Sequence, residues 1–424
     1  MPGRRLRSAA IDLRPFRASR DFRLLWGGQL VSMLGRQITT VAVPYQVYTQ
    51  TRSTLAVGLL GLVQALPLVA GSLLGGTLVD RLDRRRVLLV TNCALAACST
   101  ALAVLALAGD PPVVLVFVAA AAIAAFGAVD QPARSSTVPN LVPRQLVPSA
   151  IALMFGIFQV TLIAGPAVGG LIIGRSGLGA AYLCDVATFA ASITTILLIA
   201  PQPPRGSVHE PPLRALATGF RHLRARREII AGFAIDLNAM IFGMPRALFP
   251  VLADRTFHTG AGGLGLLYAA PGMGAVLAVM TTGWLSRARR LGRTVVLAVV
   301  VWGAAIAIAG LTDQLWLAVL LLAVAGAADS VSAVCRSTMM QLSTPDHLRG
   351  RTAASYSMVV MGGPYVGDLE AGAVGAAFSP AASVISGGLL CIAGAGVTAA
   401  AFPALWRYDA ALDAASVTGA TGPG

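Results

Sequence analysis

The 424-residue chain contains no lysine, and charged residues make up only 12% of it, against roughly 25% in soluble domains. Without lysine the chain cannot supply the phosphate-binding lysine of a P-loop or a Schiff-base lysine for a retinal or pyridoxal cofactor. The composition therefore excludes an ATP-driven pump of the P-loop type within this chain.

Cysteine is also scarce. The five cysteines all lie in apolar stretches and show no spacing typical of metal ligands: Cys93, Cys98, Cys184, Cys335 and Cys391. In such surroundings a cysteine behaves as a small apolar residue. The sequence predicts no disulfide framework, no metal site, no cofactor and no enzymatic centre.

Apolar residues, by contrast, make up 56% of the chain, and the mean hydropathy is +0.75. Apolar stretches long enough to cross a bilayer recur almost from end to end. We predict an all-α membrane protein with twelve transmembrane helices, at residues 22–48, 53–78, 87–108, 112–133, 147–174, 179–200, 229–255, 261–284, 294–312, 315–338, 351–378 and 380–406.

One long polar segment, rich first in proline and then in arginine, interrupts this pattern at residues 201–228. It divides the predicted helices into two groups of six. The predicted organisation is a cytosolic N-terminal tail (1–21), a six-helix bundle (22–200), a cytosolic linker (201–228), a second six-helix bundle (229–406) and a cytosolic tail (407–424).

Arginine placement predicts the orientation. If the N-terminus is cytosolic, most arginines fall in cytosolic loops, and only Arg52, Arg175 and Arg255 fall in outward ones. Cytosolic loops of membrane proteins carry the positive charge, so both termini are expected in the cytosol of a bacterial inner membrane. These arginines have no aromatic stacking partners, which argues against nucleic acid as a partner despite the net charge of +14.

The two halves also share a spaced pattern. Arg134-Ser135, Pro143 and Leu146 recur 202 residues later as Arg336-Ser337, Pro345 and Leu348. In both places the pattern closes a predicted span and opens a cytosolic loop. Two six-helix repeats are typical of secondary transporters whose halves rock about a central site.

The loop after the second predicted span reads Gly76-Thr-Leu-Val-Asp80-Arg81-Leu-Asp83-Arg84-Arg85-Arg86. It resembles the signature loop of the major facilitator superfamily, with Asp83 where many members have glycine. The corresponding loop of the second half, which begins at Gly283, is degenerate and lacks the aspartate.

Further segments extend the resemblance over nearly the whole chain: Asp21–Trp26, Asp130–Arg134, Tyr182–Asp185, Ile235–Asn238 and Gly367–Gly372. Together they are similar to the siderophore (enterobactin) exporter and macrolide-efflux branch of that superfamily. The resemblance implies that Arg84 pairs with Asp130, that Asp80 faces the start of the eleventh helix, and that the first, fourth, seventh and tenth helices line the cavity.

A glycine-proline pattern, Gly165-Pro166-Ala-Val-Gly169-Gly170, resembles part of an antiporter motif in the fifth span. Small residues also permit close crossing of membrane helices, which is a purely structural reason for the same pattern. Both interpretations stay open at the level of sequence.

Ionisable side chains inside a bilayer need a partner, a wet cavity or a function. Asp130, Arg134, Asp329 and Arg336 lie near the predicted cytosolic ends of their spans. With Gly76, Asp80, Arg81 and Arg84 of the signature loop they form our candidate inner gate, although plain structural pairing explains them too. Asp185 is expected to tie helices together.

A second set of candidates lines the predicted pathway for substrate and protons: Arg36, Gln37, Asp236, Asn238, Arg246, Asp368 and Glu370. Arg36 could bind a substrate anion or pair with Asp236, Asp368 or Glu370. Those three acids are the candidate proton carriers. Asp368 and Glu370 are two residues apart, about 200° around a helix, so at most one of them should face a central cavity.

These observations predict a secondary transporter that exports a small amphiphilic molecule, a siderophore or a drug, by proton antiport with alternating access. Its expected partners are the substrate, protons and the lipid bilayer. An importer of the same fold is the nearest alternative. A non-transporting receptor or scaffold is less consistent with so many buried charges.

Overall fold

The computed structural model describes residues 12–109, 111–203, 221, 227–281, 290–344 and 349–408. Every regular element in these ranges is helical, which confirms the all-α prediction for this part of the chain. The long helices are α1 (Arg20–Thr51), α2 (Thr54–Arg81), α3 (Arg84–Leu107), α4 (Val113–Leu141), α5 (Val147–Leu197), α6 (Arg227–Phe242), α7 (Gly260–Thr281), α8 (Leu291–Ala309), α9 (Leu315–Leu342), α10 (Arg349–Ala377) and α11 (Pro380–Ala401). Short helical segments occur at Arg14–Ala18, Arg144–Leu146, Arg246–Leu248, Phe249–Val251, Leu252–Thr256 and Pro403–Arg407.

Within the described residues, nine segments are long and apolar enough to cross a bilayer. Helix α5 is counted once among them, yet its 51 residues would extend about 75 Å, more than twice the thickness of the hydrocarbon core. The helix breaks at Gly177, whose φ of 80° and ψ of 177° are not helical. Glycine adopts such angles readily, and the kink at Gly177 divides α5 into two arms, residues 147–176 and 178–197. The prediction of two spans in this region stays a prediction.

Cα packing divides the chain into two compact units. The first unit comprises residues 1–42 and 67–208, and the second comprises residues 43–66 and 209–424. The division therefore passes through α1 beside Pro44 and through α2 at Pro67, the prolines inside those helices. Proline removes a backbone donor and commonly kinks a helix.

A core of apolar side chains lies at the end of the first unit where α3 begins. Phe22, Leu25, Leu88 and Ile196 are at most 1% exposed and belong to one cluster. Phe16 packs against Phe22 and Trp26 with ring centroids 5.6 and 5.0 Å apart. This packing fixes the first turns of α1, α3 and the end of α5 against one another.

In the second unit, the predicted span 229–255 is an interrupted helix. Helix α6 ends at Phe242, and the chain continues through a 3₁₀ turn (Arg246–Leu248) and a π turn (Leu252–Thr256). Pro245 lies in the break, and the indole of Trp302 donates a 2.8 Å hydrogen bond to the carbonyl of Gly243. That bond satisfies a backbone acceptor released by the interruption.

Several predicted features lie outside the described residues. They include most of the linker 201–228, the end of the tail 407–424, the degenerate second loop, and Pro345 and Leu348 of the repeated pattern. The predicted domain boundaries stay predictions.

Candidate functional site: two buried arginine and carboxylate clusters

The first cluster, here called cluster A, lies in the first unit around Asp130. Asp130 is 0% exposed, and its Oδ2 accepts a 2.6 Å hydrogen bond from Nε of Arg134, one helical turn further along α4. Its Oδ1 accepts hydrogen bonds from Thr91 at 3.0 Å and Asn92 at 2.8 Å, both on α3. Nη1 of Arg36 on α1 lies 3.7 Å from Oδ2.

The negative charge of Asp130 in cluster A is therefore well compensated by its neighbours. Each carboxylate oxygen of Asp130 has at least one strong donor, and charge-assisted hydrogen bonds of this kind favour the ionised acid. Asn92 also accepts from Nη2 of Arg134 at 2.9 Å and from Ser192 at 3.1 Å. With two guanidinium groups and one carboxylate, cluster A carries a net charge of +1 when all its groups are ionised.

These contacts correct one expectation that the family resemblance implied. Asp130 pairs with Arg134 and Arg36, not with Arg84, whose Nε is buried without a hydrogen-bond partner in the described part of the chain. Within the first unit, Arg36 therefore has an acidic partner in Asp130. The i,i+4 spacing of Asp130 and Arg134 on one helix favours an ion pair between them. The sequence did not lead us to predict this pair because the family resemblance implied a different partner for Asp130.

Asp185 ties three helices together, as predicted. Its Oδ2 accepts hydrogen bonds from Thr39 on α1 and Ser99 on α3, each at 2.7 Å. The Thr188 hydroxyl donates to the Asp185 carbonyl at 2.7 Å within α5. A Cβ at Gly35 would overlap these groups, so the glycine permits the close approach of α1.

The glycine-proline pattern in α5 lies at a helix crossing. A Cβ added at Gly165 would overlap Gln37 of α1, and one added at Gly169 would lie 3.1 Å from Cα of Ile38. The structural interpretation of these glycines is confirmed. Gln37, a candidate pathway residue, is part of this packing.

The signature loop has an unexpected cap. Asp83 adopts an extended conformation and accepts a 2.9 Å hydrogen bond from the backbone amide of Arg85, which caps α3. The same oxygen accepts from the amide of Gln202 at 3.2 Å. Because the φ of Asp83 is −60°, the backbone at this position does not require glycine. Three other residues of the signature loop lie in the last turns of α2. Asp80 is partly buried and Arg81 is exposed. A Cβ added at Gly76 would have no neighbouring atom within 4 Å.

The second cluster, here called cluster B, lies in the second unit around Arg336. Its Nη2 lies 2.6 Å from Oδ1 of Asp236 on α6 and 4.0 Å from Oδ1 of Asp329 on α9. Its Nη1 donates to Ser332 at 2.7 Å, and its Nε donates to the hydroxyl of Tyr356 at 3.4 Å. Sequence reasoning missed Tyr356, because a tyrosine in an apolar helix carries no distinguishing signal.

The two clusters occupy corresponding positions, but their acids come from different helices. Arg336 follows Arg134 by 202 residues, and Ser332 follows Asp130 by the same number. Cluster B therefore has serine where cluster A has its acid, and its carboxylates are supplied by Asp236 from α6 and Asp329 from α9. Two carboxylates and one guanidinium give cluster B a net charge of −1 when all are ionised.

Asp236 is far less well compensated than Asp130. Both residues are 0% exposed. Although Arg336 lies 2.6 Å from Asp236, neither carboxylate oxygen of Asp236 accepts a hydrogen bond of good geometry within the described part of the chain. A buried carboxylate with poorly directed donors has a high desolvation cost, which uptake of a proton removes.

A third ion pair joins the interrupted helix to α10. Nη2 of Arg246 donates to Oδ2 of Asp368 at 2.8 Å, while Nε of Arg246 and Oδ1 of Asp368 are buried without hydrogen bonds in the described residues. Helix α2 packs on the same turn: a Cβ at Gly61 would lie 2.9 Å from Cβ of Asp368. The interruption after Phe242 places Arg246 opposite Asp368.

The two remaining pathway candidates differ from this pair. Nδ2 of Asn238 donates to the carbonyl of Cys391 at 2.9 Å, so Asn238 joins α6 to α11. Glu370 is partly exposed and forms no ion pair among the described residues. Asp368 and Glu370 therefore have different surroundings, as their spacing predicts.

The described residues also contain no group of three histidine, cysteine or acidic side chains that could hold a metal ion.

Known proteins resemble this chain over most of its length. A family described as "Transmembrane secretion effector" matches residues 10–417. The chain is 29% identical to the enterobactin exporter EntS of Shigella boydii serotype 18 and 28% identical to that of Escherichia coli O81, in each case over 87% of this chain and 88% of the relative.

Solved transporter structures share the fold at low sequence identity. The nucleoside transporter NupG (D323A mutant) superposes with a TM-score of 0.74 at 13% identity, covering 92% of this chain and 100% of NupG. A bacterial homologue of the lysosomal transporter Spinster superposes with a TM-score of 0.70 at 16% identity, covering 95% and 98%. With buried charge clusters in an all-helical, multi-pass membrane chain, these matches identify the protein as a membrane transporter of the major facilitator superfamily that belongs to the transmembrane secretion effector family.

Proposed function

We propose that this protein exports a small amphiphilic molecule across the bacterial cytoplasmic membrane, driven by protons that enter in exchange. Family membership and the relatives named as exporters support the direction of transport. The observation that carries the proposal is the contrast between the well-compensated Asp130 and the poorly compensated Asp236, both fully buried beside arginine.

The proposed topology has twelve transmembrane helices in two repeats of six, with both termini in the cytosol. The break at Gly177 supports counting α5 as two spans, and the arginine distribution supports the orientation. Helices α1 and α10 supply the two spans not among the nine recognised by hydropathy. The linker 201–228 would then join the repeats on the cytosolic side.

Asp236 is the proposed proton carrier. In cluster B the charged groups facing it are Arg336 and Asp329 of α9, with the hydroxyl of Tyr356 from α10. A shift of α9 against α6 changes the distance between Asp236 and Arg336, and with it the cost of keeping the carboxylate ionised. Asp236 can therefore take up a proton in one state and release it in the other.

Cluster A has the complementary role of a fixed structural charge. Asp130 keeps its hydrogen bonds from three neighbours, so it stays ionised and holds α3 and α4 together. In the first unit, the proposed inner gate comprises Asp80 and Arg84 of the signature loop with Arg134 of α4.

Inside-out membrane vesicles test this function. Enterobactin, the compound in the relatives' names, and the dye ethidium serve as siderophore-like and drug-like substrates. Vesicles with an acidic interior should accumulate one of them, and dissipating the pH gradient should abolish the accumulation. Accumulation that is insensitive to the gradient would contradict proton antiport, and accumulation only in right-side-out vesicles would indicate an importer.

The variant Asp236→Asn separates coupling from binding. We expect it to lose gradient-driven accumulation but to retain exchange of labelled for unlabelled substrate, which needs no net proton movement. The matched control is Asp313→Asn, an exposed aspartate in the loop after α8. Gradient-driven transport in Asp236→Asn at the rate of the control would exclude Asp236 as the carrier.

A further inference from the structure

A basic face, composed of Arg14, Arg17, Arg20 and Arg23, lies at the end of the first unit where α1 begins. All four residues are exposed, and the side chain of Arg14 is 75% exposed. Arg14 and Arg17 belong to the short helix Arg14–Ala18, and Arg20 and Arg23 lie in the first turn of α1. The proposed transport cycle uses none of these side chains.

The short helix is packed against the first unit. Pro15 is buried, and Phe16 packs against Phe22 and Trp26 of α1. The guanidinium group of Arg23 donates a 2.9 Å hydrogen bond to the carbonyl of Phe16, which places Arg23 beside the short helix. The arginines of the short helix and those of α1 therefore contribute to one surface.

Both ends of the segment 12–19 are attached to long helices. The hydroxyl of Ser19 accepts a 3.1 Å hydrogen bond from the amide of Phe22, which caps the first turn of α1. Asp12 accepts a 2.8 Å hydrogen bond from the hydroxyl of Ser149, at the start of α5. The segment consequently connects the start of α1 with the start of α5.

The acids beside the basic face do not cancel its charge. Asp12 accepts hydrogen bonds from Nε and Nη2 of Arg14, each at 2.9 Å, and these bonds hold the pKa of Asp12 well below its ordinary value. Asp21 accepts a 3.1 Å hydrogen bond from the amide of Ala200. Residues 12–23 contain four arginines and two aspartates, which leaves a net charge of +2.

Apolar and aromatic side chains border the basic face. Leu13, directly before Arg14, is 56% exposed. Trp26 is partly exposed, and its indole donates a 3.2 Å hydrogen bond to the carbonyl of Leu153. Tryptophan is enriched where membrane helices reach the lipid headgroups. This position next to an apolar helix favours a lipid over a soluble polyanion as the ligand of the arginines.

We propose that the basic face binds an anionic phospholipid of the adjoining leaflet. Arg17, Arg20 and Arg23 bind its phosphate, because guanidinium groups match phosphate oxygens with paired hydrogen bonds. Its acyl chains lie beside Leu13 and Trp26. Clusters of arginine next to a membrane helix attract anionic lipids in proportion to their number. The inference goes beyond the proposed function, and it depends neither on the substrate nor on the direction of transport.

Equilibrium binding of radiolabelled phosphatidylglycerol to the purified full chain in a neutral detergent tests this site. Unlabelled phosphatidylglycerol should displace the label at about tenfold lower concentration than phosphatidylcholine with the same acyl chains. Millimolar inorganic phosphate should not displace it. Equal displacement by the two lipids would overturn the anionic ligand, and displacement by free phosphate would overturn the lipid.

A charge-removing variant locates the site. Arg17→Gln combined with Arg20→Gln should weaken phosphatidylglycerol binding about tenfold or more, which corresponds to about 1.4 kcal/mol. The matched control combines Arg175→Gln with Arg255→Gln, at two exposed arginines outside the basic face, and should bind as the wild type does. Unchanged affinity in the first variant, or an equal loss in the control, would exclude the basic face.

The variant Asp12→Asn tests the opposite sign. It frees Arg14 from its carboxylate and keeps an acceptor for the hydroxyl of Ser149, so the affinity for phosphatidylglycerol should rise about threefold or more. Unchanged or lower affinity would overturn electrostatic recognition at this face. Because none of these measurements involves transport, their failure would not affect the proposed export.

Discussion

Buried carboxylates differ in what their neighbours supply. Asp130 and Asp236 are both 0% exposed and both lie beside arginine, yet Asp130 accepts three well-formed hydrogen bonds and Asp236 accepts none among the described residues. The same residue type therefore suits two tasks. In the proposed cycle, Asp130 stays ionised as part of the framework, and Asp236 changes its protonation state.

Stability measurements can separate these two tasks. Asp130→Asn removes a charge from a satisfied network and leaves Arg134 without its partner, so we expect a loss of about 3–5 kcal/mol. Asp236→Asn removes an acid that accepts no hydrogen bond of good geometry, and Arg336 keeps its hydrogen bonds to Ser332 and Tyr356, so the expected loss is smaller. Thermal unfolding of both purified variants in one detergent measures the difference. Equal or reversed losses would contradict the distinction between the clusters.

Sequence patterns identified these charged residues but not all their partners. The positions of Asp130, Arg134, Asp236 and Arg336 could be read as buried charges because each interrupts an apolar stretch. Their pairing depends on helix rotation and crossing, which no spacing within one helix defines. Asn92 and Tyr356 were missed for a related reason, since uncharged polar residues are common in membrane helices.

At the scale of elements, α3 depends on the cap supplied by Asp83. Asp83→Ala should lower stability by about 1 kcal/mol, because the amide of Arg85 loses its acceptor. The matched control is Asp313→Ala, whose position lies outside the helices. Thermal unfolding measures both variants, and equal midpoints would show that the cap contributes nothing.

The crossing of α1 and α5 depends on glycine. Gly165→Leu should overlap Gln37 and lower the yield of folded protein, with a cost typical of overpacking, about 1–3 kcal/mol or more. Gly156→Leu makes the same change on the same helix, at an exposed position with no atom within 4 Å of the added Cβ. Size-exclusion profiles in detergent compare the two. Monodisperse Gly165→Leu protein with wild-type stability would refute the close crossing.

The interrupted segment after α6 depends on the pair Arg246–Asp368. Asp368→Asn should destabilise the protein, since it leaves the guanidinium of Arg246 without its carboxylate. Adding Arg246→Met should recover part of the loss. Glu370→Gln, two residues further along α10, serves as the control and should have little effect. Strict additivity in this double-mutant cycle, followed by thermal unfolding, would count against a direct interaction.

For the whole molecule, hydropathy was sufficient to predict a helical multi-pass membrane chain, and the signature loop and the repeated pattern were needed to predict a transporter. The kink at Gly177 explains why the described helices are fewer than the predicted spans in this region, because one helix covers residues 147–197. The interrupted helix at Arg246–Thr256 was predicted only as a plain span. Such departures follow from tertiary contacts, including the hydrogen bond of Trp302 to Gly243.

The burial of a single acid, Asp236, beside Arg336 has an electrical consequence for the proposed cycle. If one proton enters on Asp236 while an uncharged substrate leaves, each cycle moves one positive charge inward, and 100 mV across the membrane contributes about 2.3 kcal/mol. If a monovalent cation leaves instead, the charges cancel and the voltage contributes nothing. Vesicles clamped with valinomycin and potassium distinguish the two cases: voltage should accelerate export of a neutral probe and leave export of the monovalent cation ethidium unchanged. A cation flux that follows the voltage would mean that more than one proton moves in each cycle.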